Sequence, residues 1–152
     1  MAHHRSFISQ IKKWILIYGL STILIWTIYY QTWGKHLYLI TAYCNCPICI
    51  NVKKYHDGRF ASGKKVYWGA LAADPSIPFR TKVELMPLWP QDWAVIFTRL
   101  KGRRNFKVED RGGKIKGKHI DLFIPDSLGG HKAARRWGAR RMRLKINGEW
   151  AD

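Results

Sequence analysis

Acidic residues are scarce in this chain: 10 aspartates and glutamates stand against 27 lysines and arginines, a formal charge of +17 over 152 residues. Such an imbalance points toward polyanions: nucleic acid, anionic lipid or an acidic cell-wall polymer. Composition alone does not choose among them. Internal repeats and low-complexity segments are absent, which leaves out solenoid and linker-like architectures. Cysteine is also sparse. The three present, Cys44, Cys46 and Cys49, all fall in YCNCPIC, and an odd number cannot pair completely into disulfides.

Charge is missing altogether from Trp14 to Gly34, WILIYGLSTILIWTIYYQTWG. About 20 apolar residues suffice for a helix to cross a bilayer. Trp14, Tyr29, Tyr30 and Trp33 sit at the ends of the run, where aromatic belts form. A cleaved signal peptide would be shorter in its apolar part and would carry a small-x-small site, and IYYQTWGKH offers none. A buried core helix would show a polar face. The expected organisation is a basic cytoplasmic tail over 1–13, a transmembrane signal-anchor helix over 14–34 and an exterior domain over 37–148. Lys12 and Lys13 before the span, with only Lys35 just after it, set the N-terminus on the cytoplasmic side. An exterior domain disfavours nucleic acid as the partner. The membrane itself is the first partner expected.

Beyond the span, short apolar runs alternate with turn signals: LYLITAY, VYWGALAA, TKVELM, WAVIFTRL, NFKVED, HIDLFI and RMRLKI. In the last, Met142, Leu144 and Ile146 alternate with Arg141, Arg143 and Lys145, the period of a strand with one wet face. SLGGHKAARRWG reads as a short helix ended by Gly138. The pattern predicts a mainly β domain, a small closed or nearly closed barrel with one or two short helices.

Three aspartates stand where strands would carry core side chains. Asp74 lies in ALAADPSIPFRTKVEL, and Asp110 and Asp121 lie in VEDRGGKIKGKHIDLF. Asp74 before Pro75, and Asp110 before Arg111-Gly112-Gly113, each fit an ordinary turn. Asp121 does not, because Ile120 and Leu122 put it mid-strand, where aspartate is disfavoured. The cysteine cluster leaves three readings open: a disulfide plus one free thiol, a structural zinc with His56 as fourth ligand, or small buried side chains in a tight loop.

The segments around these aspartates resemble one family. Leu71-Ala72-Ala73-Asp74-Pro75, Pro78-Phe79-Arg80-Thr81-Lys82-Val83, Val108-Glu109-Asp110-Arg111-Gly112-Gly113 and Ile120-Asp121-Leu122-Phe123 occur in the order of the three-aspartate (3D) domain. Thr41-Ala42-Tyr43, Ala61-Ser62-Gly63, His131, Ala134, Gly138 and Arg140 extend the match. That family is similar to the catalytic core of membrane-bound lytic transglycosylase A and to stationary-phase survival proteins. The resemblance implies a six-stranded double-psi β-barrel that cuts peptidoglycan glycan strands and needs no cofactor. It makes Asp121 the catalytic acid, with Asp110 and Asp74 lining the same cleft. A carboxyl group with this task must stay protonated near neutral pH, which burial and nearby carboxylates favour.

Substrate contacts are expected from Gly112, Gly113, Lys116, Tyr43 and Thr81, the two glycines through a positive-φ turn that lets a sugar approach the backbone. Trp68 and Trp89 are further candidates for stacking on sugars. Arg80 departs from the family pattern, which has glycine there, and would be strained if φ is positive. The resemblance leaves two rivals in place: a glycan-binding module that does not cut, and a hydrolase on the same scaffold. Oligomeric state is not legible.

Overall fold

The computed structural model describes residues 2–32, 36–49 and 57–151. Trp33, Gly34, Lys35 and His56 lie outside them. The chain divides into two compact units, 1–36 and 37–152.

The first unit is one helix, α1 (Ala2–Thr32). Its stretch Gln10–Tyr29 is long and apolar enough to cross a membrane, with a mean hydropathy of 1.4. Large apolar side chains such as Trp14, Leu16, Leu20, Leu24 and Trp26 are exposed around its circumference. A helix apolar all round is suited to lipid or to a protein core, not to water.

The second unit contains β1 (Tyr38–Tyr43), β2 (Ala70–Ala73), β3 (Lys82–Met86), α2 (Pro90–Arg99), β4 (Asn105–Asp110), β5 (His119–Phe123), a 3₁₀ turn (Asp126–Leu128), α3 (Gly130–Trp137), β6 (Arg140–Ile146) and β7 (Glu149–Trp150). Strands pair in the order β1-β5-β2-β4-β3-β6-β7, and β1 also pairs with β6. That last pairing closes six strands into a barrel, with β7 attached outside the ring. Two pairings are parallel, β1 with β5 and β2 with β4; the rest are antiparallel. The mainly β, closed six-stranded barrel expected from the sequence is the fold observed, with three short helices where one or two were expected.

Side chains from every barrel strand fill the interior: Ile40, Leu71, Val83, Leu85, Phe106, Val108, Ile120, Leu122, Met142 and Leu144 are all buried. Along β6 the alternation holds, since Met142 and Leu144 are buried while Arg141 is exposed. Helix α3 covers one side of the barrel. Trp137 is fully buried there and donates its indole N–H to the Ile40 carbonyl at 3.1 Å. Gly138 caps this helix, as the sequence suggests.

One expected strand is a helix. WAVIFTR lies within α2, with Leu100 as its C-cap, and the helix has Pro90 and Asp92 in its first turn. Proline suits that position because its missing N–H would be unpaired anyway. The deciding pattern is Asp92, Ile96 and Leu100, buried at intervals of four, while Trp93 and Phe97 face out. Trp89 is exposed beside it, and Trp68 packs edge-on to Phe106. At the other end of the chain, Asn147-Gly148 takes positive φ at both residues and turns β6 into the short β7. Asn-Gly between two apolar runs is a hairpin signal that the sequence reading passed over.

Arg80 adopts φ +69°. A side chain in this region costs about 1–2 kcal/mol, and a glycine would give back roughly 0.5–1 of that as extra freedom in the unfolded chain. Arg80→Gly is therefore expected to stabilise the domain by about 0.5–1 kcal/mol. Urea unfolding measures this directly, and a clear destabilisation would mean that the guanidinium makes a compensating contact.

Candidate functional site

The barrel register brings two of the three aspartates into one row. Thr41 of β1 pairs with Asp121 of β5, Asp121 pairs with Ala72 of β2, and Ala72 pairs with Asp110 of β4. Directly paired residues in adjacent strands project to the same face. Ala72, a buried methyl, thus separates the two carboxylates across two strand spacings, roughly 10 Å between Cα atoms.

A β-bulge makes this alignment work. Leu71 pairs with Val108, but the next residue, Ala72, pairs with Asp110, so Glu109 is the extra residue. Without it, Asp110 would share the face of Val108, which is packed in the core. The bulge turns the carboxylate out of the core and onto the row, a common use of bulges beside active sites.

Glu109, the extra residue, is fully buried against the 57–67 segment. Burial pushes its carboxyl up, but the Lys64 ammonium at 2.6 Å and the Tyr67 hydroxyl at 3.1 Å outweigh that and hold it below the ordinary range. This contact ties the 57–67 segment to β4, together with the Ser62 amide bonded to the Glu109 carbonyl at 3.0 Å. The Ala61 amide consequently reaches Asp110 Oδ1 at 2.9 Å. Asp110 also accepts from the Arg111 amide at 2.9 Å and, through Oδ2, from the Tyr43 hydroxyl at 2.5 Å. Three donors fix its orientation.

Asp121 has a different environment. The Thr41 hydroxyl donates to its Oδ1 at 2.7 Å. Thr41 Oγ1 has a single proton, so at 2.9 Å from His119 Nε2 it accepts from the imidazole N–H. Burial is the main influence on Asp121, and the Asp110 charge adds to it; the Thr41 bond and His119 oppose them. The outcome is a carboxyl held at about 6 in place of 3.8. Two carboxylates in one row are thus distinguished by environment, one by donors and one by burial.

Asp74 sits elsewhere in the network. Its Oδ1 accepts from the Ser76 amide and its Oδ2 from the Gly117 amide, each at 2.8 Å. These two amides hold its carboxyl down at about 2. Asp74 closes its own turn and clamps the β4–β5 connection, with the exposed Lys116 close enough to assist.

The expected substrate residues fare unevenly. Tyr43 lies edge-on to Phe123, and its hydroxyl is committed to Asp110; burial, then the Asp110 charge, push that hydroxyl well above its ordinary pKa. Gly112 and Gly113 do not have positive φ; in this connection Gly117 does, at +57°. Gly112 is needed for a different reason, since a Cβ there would meet Ile115 Cγ1 at 2.6 Å. Thr81 is buried, with its carbonyl bonded to the Val108 amide at 3.0 Å. Thr41, His119 and Glu109 were missed as site residues. Thr41 and His119 had a signal: each stands two residues from another site residue on its strand, Tyr43 and Asp121, the spacing that shares a face.

The three thiols come together with an unexpected histidine. Cys44, Cys46, Cys49 and His131 place one ligand atom each within 4.8 Å of all the others. All three cysteines are free. His56, the histidine expected to join them, lies outside the described residues.

Residues 69–147 match the 3D domain family. No curated protein sequence matches the chain. Similar solved structures include the crystal structure of MltA from Escherichia coli (26% identical, TM-score 0.40), E. coli MltA with bound chitohexaose (25%, 0.39) and an apo form of the E. coli lytic transglycosylase MltA (22%, 0.41). Each alignment covers 58% of this chain and 26% of the other, so the chain spans about a quarter of the length of these proteins.

The environment of Asp121 has a consequence for stability. Its folded pKa lies above the unfolded value, so its contribution is complete below pH 3.8 and is lost as pH rises through about 6. Relative to the wild type, Asp121→Asn is expected to gain about 2–2.5 kcal/mol of stability between pH 4 and pH 8. Denaturant titrations at the two pH values check this; an unchanged difference would show that Asp121 is not held up.

Proposed function

The chain belongs to the 3D domain family, and from that premise we propose that it is a membrane-anchored cell-wall enzyme that cleaves peptidoglycan glycan strands as a lytic transglycosylase, with Asp121 as its single acid and base. The observation that carries this reading is the row Thr41–Asp121–Ala72–Asp110, in which a largely buried carboxyl stands mid-strand with a pKa of about 6.

A lytic transglycosylase activates no water. The substrate's own C6 hydroxyl attacks the anomeric carbon as the glycosidic bond breaks, closing a 1,6-anhydro ring. Asp121 first gives its proton to the departing glycosidic oxygen and then, as carboxylate, takes the proton of the C6 hydroxyl. It ends as it began. Glycosidases that use water or a nucleophile need a second carboxyl group in a set position; here Asp110 is engaged by three donors. Its fixed negative charge is suited to an oxocarbenium-like transition state. The Thr41 hydroxyl, backed by His119, aims the acid and balances the desolvation that raises its pKa. The exposed Lys116 is offered for muramyl or stem-peptide carboxylates.

Helix α1 supplies the anchor in this account, with Lys12 and Lys13 on the cytoplasmic side and the barrel on the exterior. The positive charge then has its partners in wall carboxylates and lipid headgroups. Deletion of residues 1–36 is expected to move the protein from the membrane fraction to the soluble fraction. Retention on membranes at high salt would contradict the anchor.

Digestion of purified peptidoglycan by the full chain in detergent, analysed by mass spectrometry beside Asp121→Asn, tests the reaction. Fragments ending in 1,6-anhydro-muramic acid are expected, reduced by at least about 10²-fold in the variant. The rate should fall as pH rises through about 6. Reducing-end fragments would instead mean a hydrolase, and binding without fragments would mean a glycan-recognition module.

A further inference from the structure

Three thiols and an imidazole converge at the end of β1, outside the carboxylate row. Cys44 directly follows Tyr43 and is buried, Cys46 is half-buried and Cys49 is exposed. The turn that gathers them is closed by the Cys49 amide bonded to the Cys46 carbonyl at 3.1 Å. His131 comes from the first turn of α3, more than 80 residues further along the chain. Its Nδ1 lies 3.5 Å from Cys49 Sγ and 3.7 Å from Cys46 Sγ, and Cys44 Sγ lies 3.4 Å from Cys49 Sγ.

These separations suit a tetrahedron. With Zn–S near 2.3 Å and Zn–N near 2.05 Å, tetrahedral edges are roughly 3.5–3.8 Å. Of the four separations given, the Cys44–Cys46 pair, at 2.8 Å, must open on binding. A disulfide between any two of the cysteines would leave the third thiol and His131 Nδ1 unexplained. The donor set is equally selective, because thiolates with one imidazole favour zinc over magnesium, calcium or manganese. Four protein ligands leave no position for water or substrate, the mark of a structural site.

We propose that Cys44, Cys46, Cys49 and His131 form a Cys₃His zinc site that staples the end of β1 to helix α3. Zinc binding releases the thiol protons to solvent, while the neutral imidazole coordinates through Nδ1. The exposed Cys49 gives the ion a route in. The staple joins two elements already in contact, since Trp137 of α3 bonds to the Ile40 carbonyl in β1. It also fixes the residue next to Tyr43, whose hydroxyl orients Asp110. The metal would thus order one end of the carboxylate row without taking part in chemistry.

The test uses the full chain, purified in detergent under reducing conditions. Elemental analysis is expected to find about one zinc per chain, and replacement by cobalt(II) to give the intense visible absorption of a tetrahedral thiolate site. His131→Ala should weaken zinc binding by more than the roughly 100-fold seen for outer ligand partners and should alter the cobalt spectrum. Cys49→Ser, at an exposed position, should do the same, while His56→Ala should leave both unchanged. Stripping the zinc should raise hydrogen exchange in the segment 41–49. A reduced protein that binds neither zinc nor cobalt(II) would overturn the proposal. So would a cobalt spectrum unaffected by His131→Ala but abolished by His56→Ala.

Discussion

The parallel pairing of β1 with β5 is the constraint on which the site depends. It sets Thr41 opposite Asp121, so that a hydroxyl is available to the one carboxyl that burial would otherwise leave without a donor. A shift of one residue would replace Thr41 with Ile40 or Ala42 and turn the wrong face of β1 to the row. The same register places Tyr43 two residues on, where it reaches Asp110. One strand, through side chains of a single face, thus positions both carboxylates. The closing contact of β1 with β6 and the packing of Trp137 on Ile40 hold that strand in place.

The bulge at Glu109 is the second half of the same device. An aspartate following Glu109 in a regular strand would point into the core with Val108. The extra residue reverses it, and the cost of burying Glu109 is offset by Lys64 and Tyr67. That ion pair also delivers the Ala61 amide to Asp110. A structural contact beneath the 57–67 segment therefore contributes directly to the geometry around Asp110. Asp74 completes the frame from outside, holding Gly117 and with it the connection that leads into β5.

Much of this was legible in the sequence because strands announce themselves by period two. Asp121 between Ile120 and Leu122, and the alternation of β6, needed no structure. The failures have specific causes. A continuous apolar run, WAVIFTRL, hides its period, and only the burial of Asp92, Ile96 and Leu100 separates helix from strand. Gly112 and Gly113 suggested backbone freedom, yet Gly112 is required by the proximity of Ile115 and the positive φ belongs to Gly117. His131 joins the cysteines from more than 80 residues away, a distance over which sequence spacing carries no signal. Lys64 and Glu109, 45 residues apart, carry no local signal at all. Arg80 is the reverse case: the departure from glycine was visible in the sequence, and the positive φ is there.

The central claim is that the fold holds Asp121 as a protonated acid within reach of neutral pH while fixing Asp110 by hydrogen bonds. The most direct measurement is a carboxyl-carbon NMR titration of the aspartates, assigned with the Asp121→Asn variant. The account predicts a midpoint for Asp121 of about 6. A midpoint at the ordinary 3.8 would contradict it, because a carboxyl already ionised in that range could not supply the proton that the reaction requires.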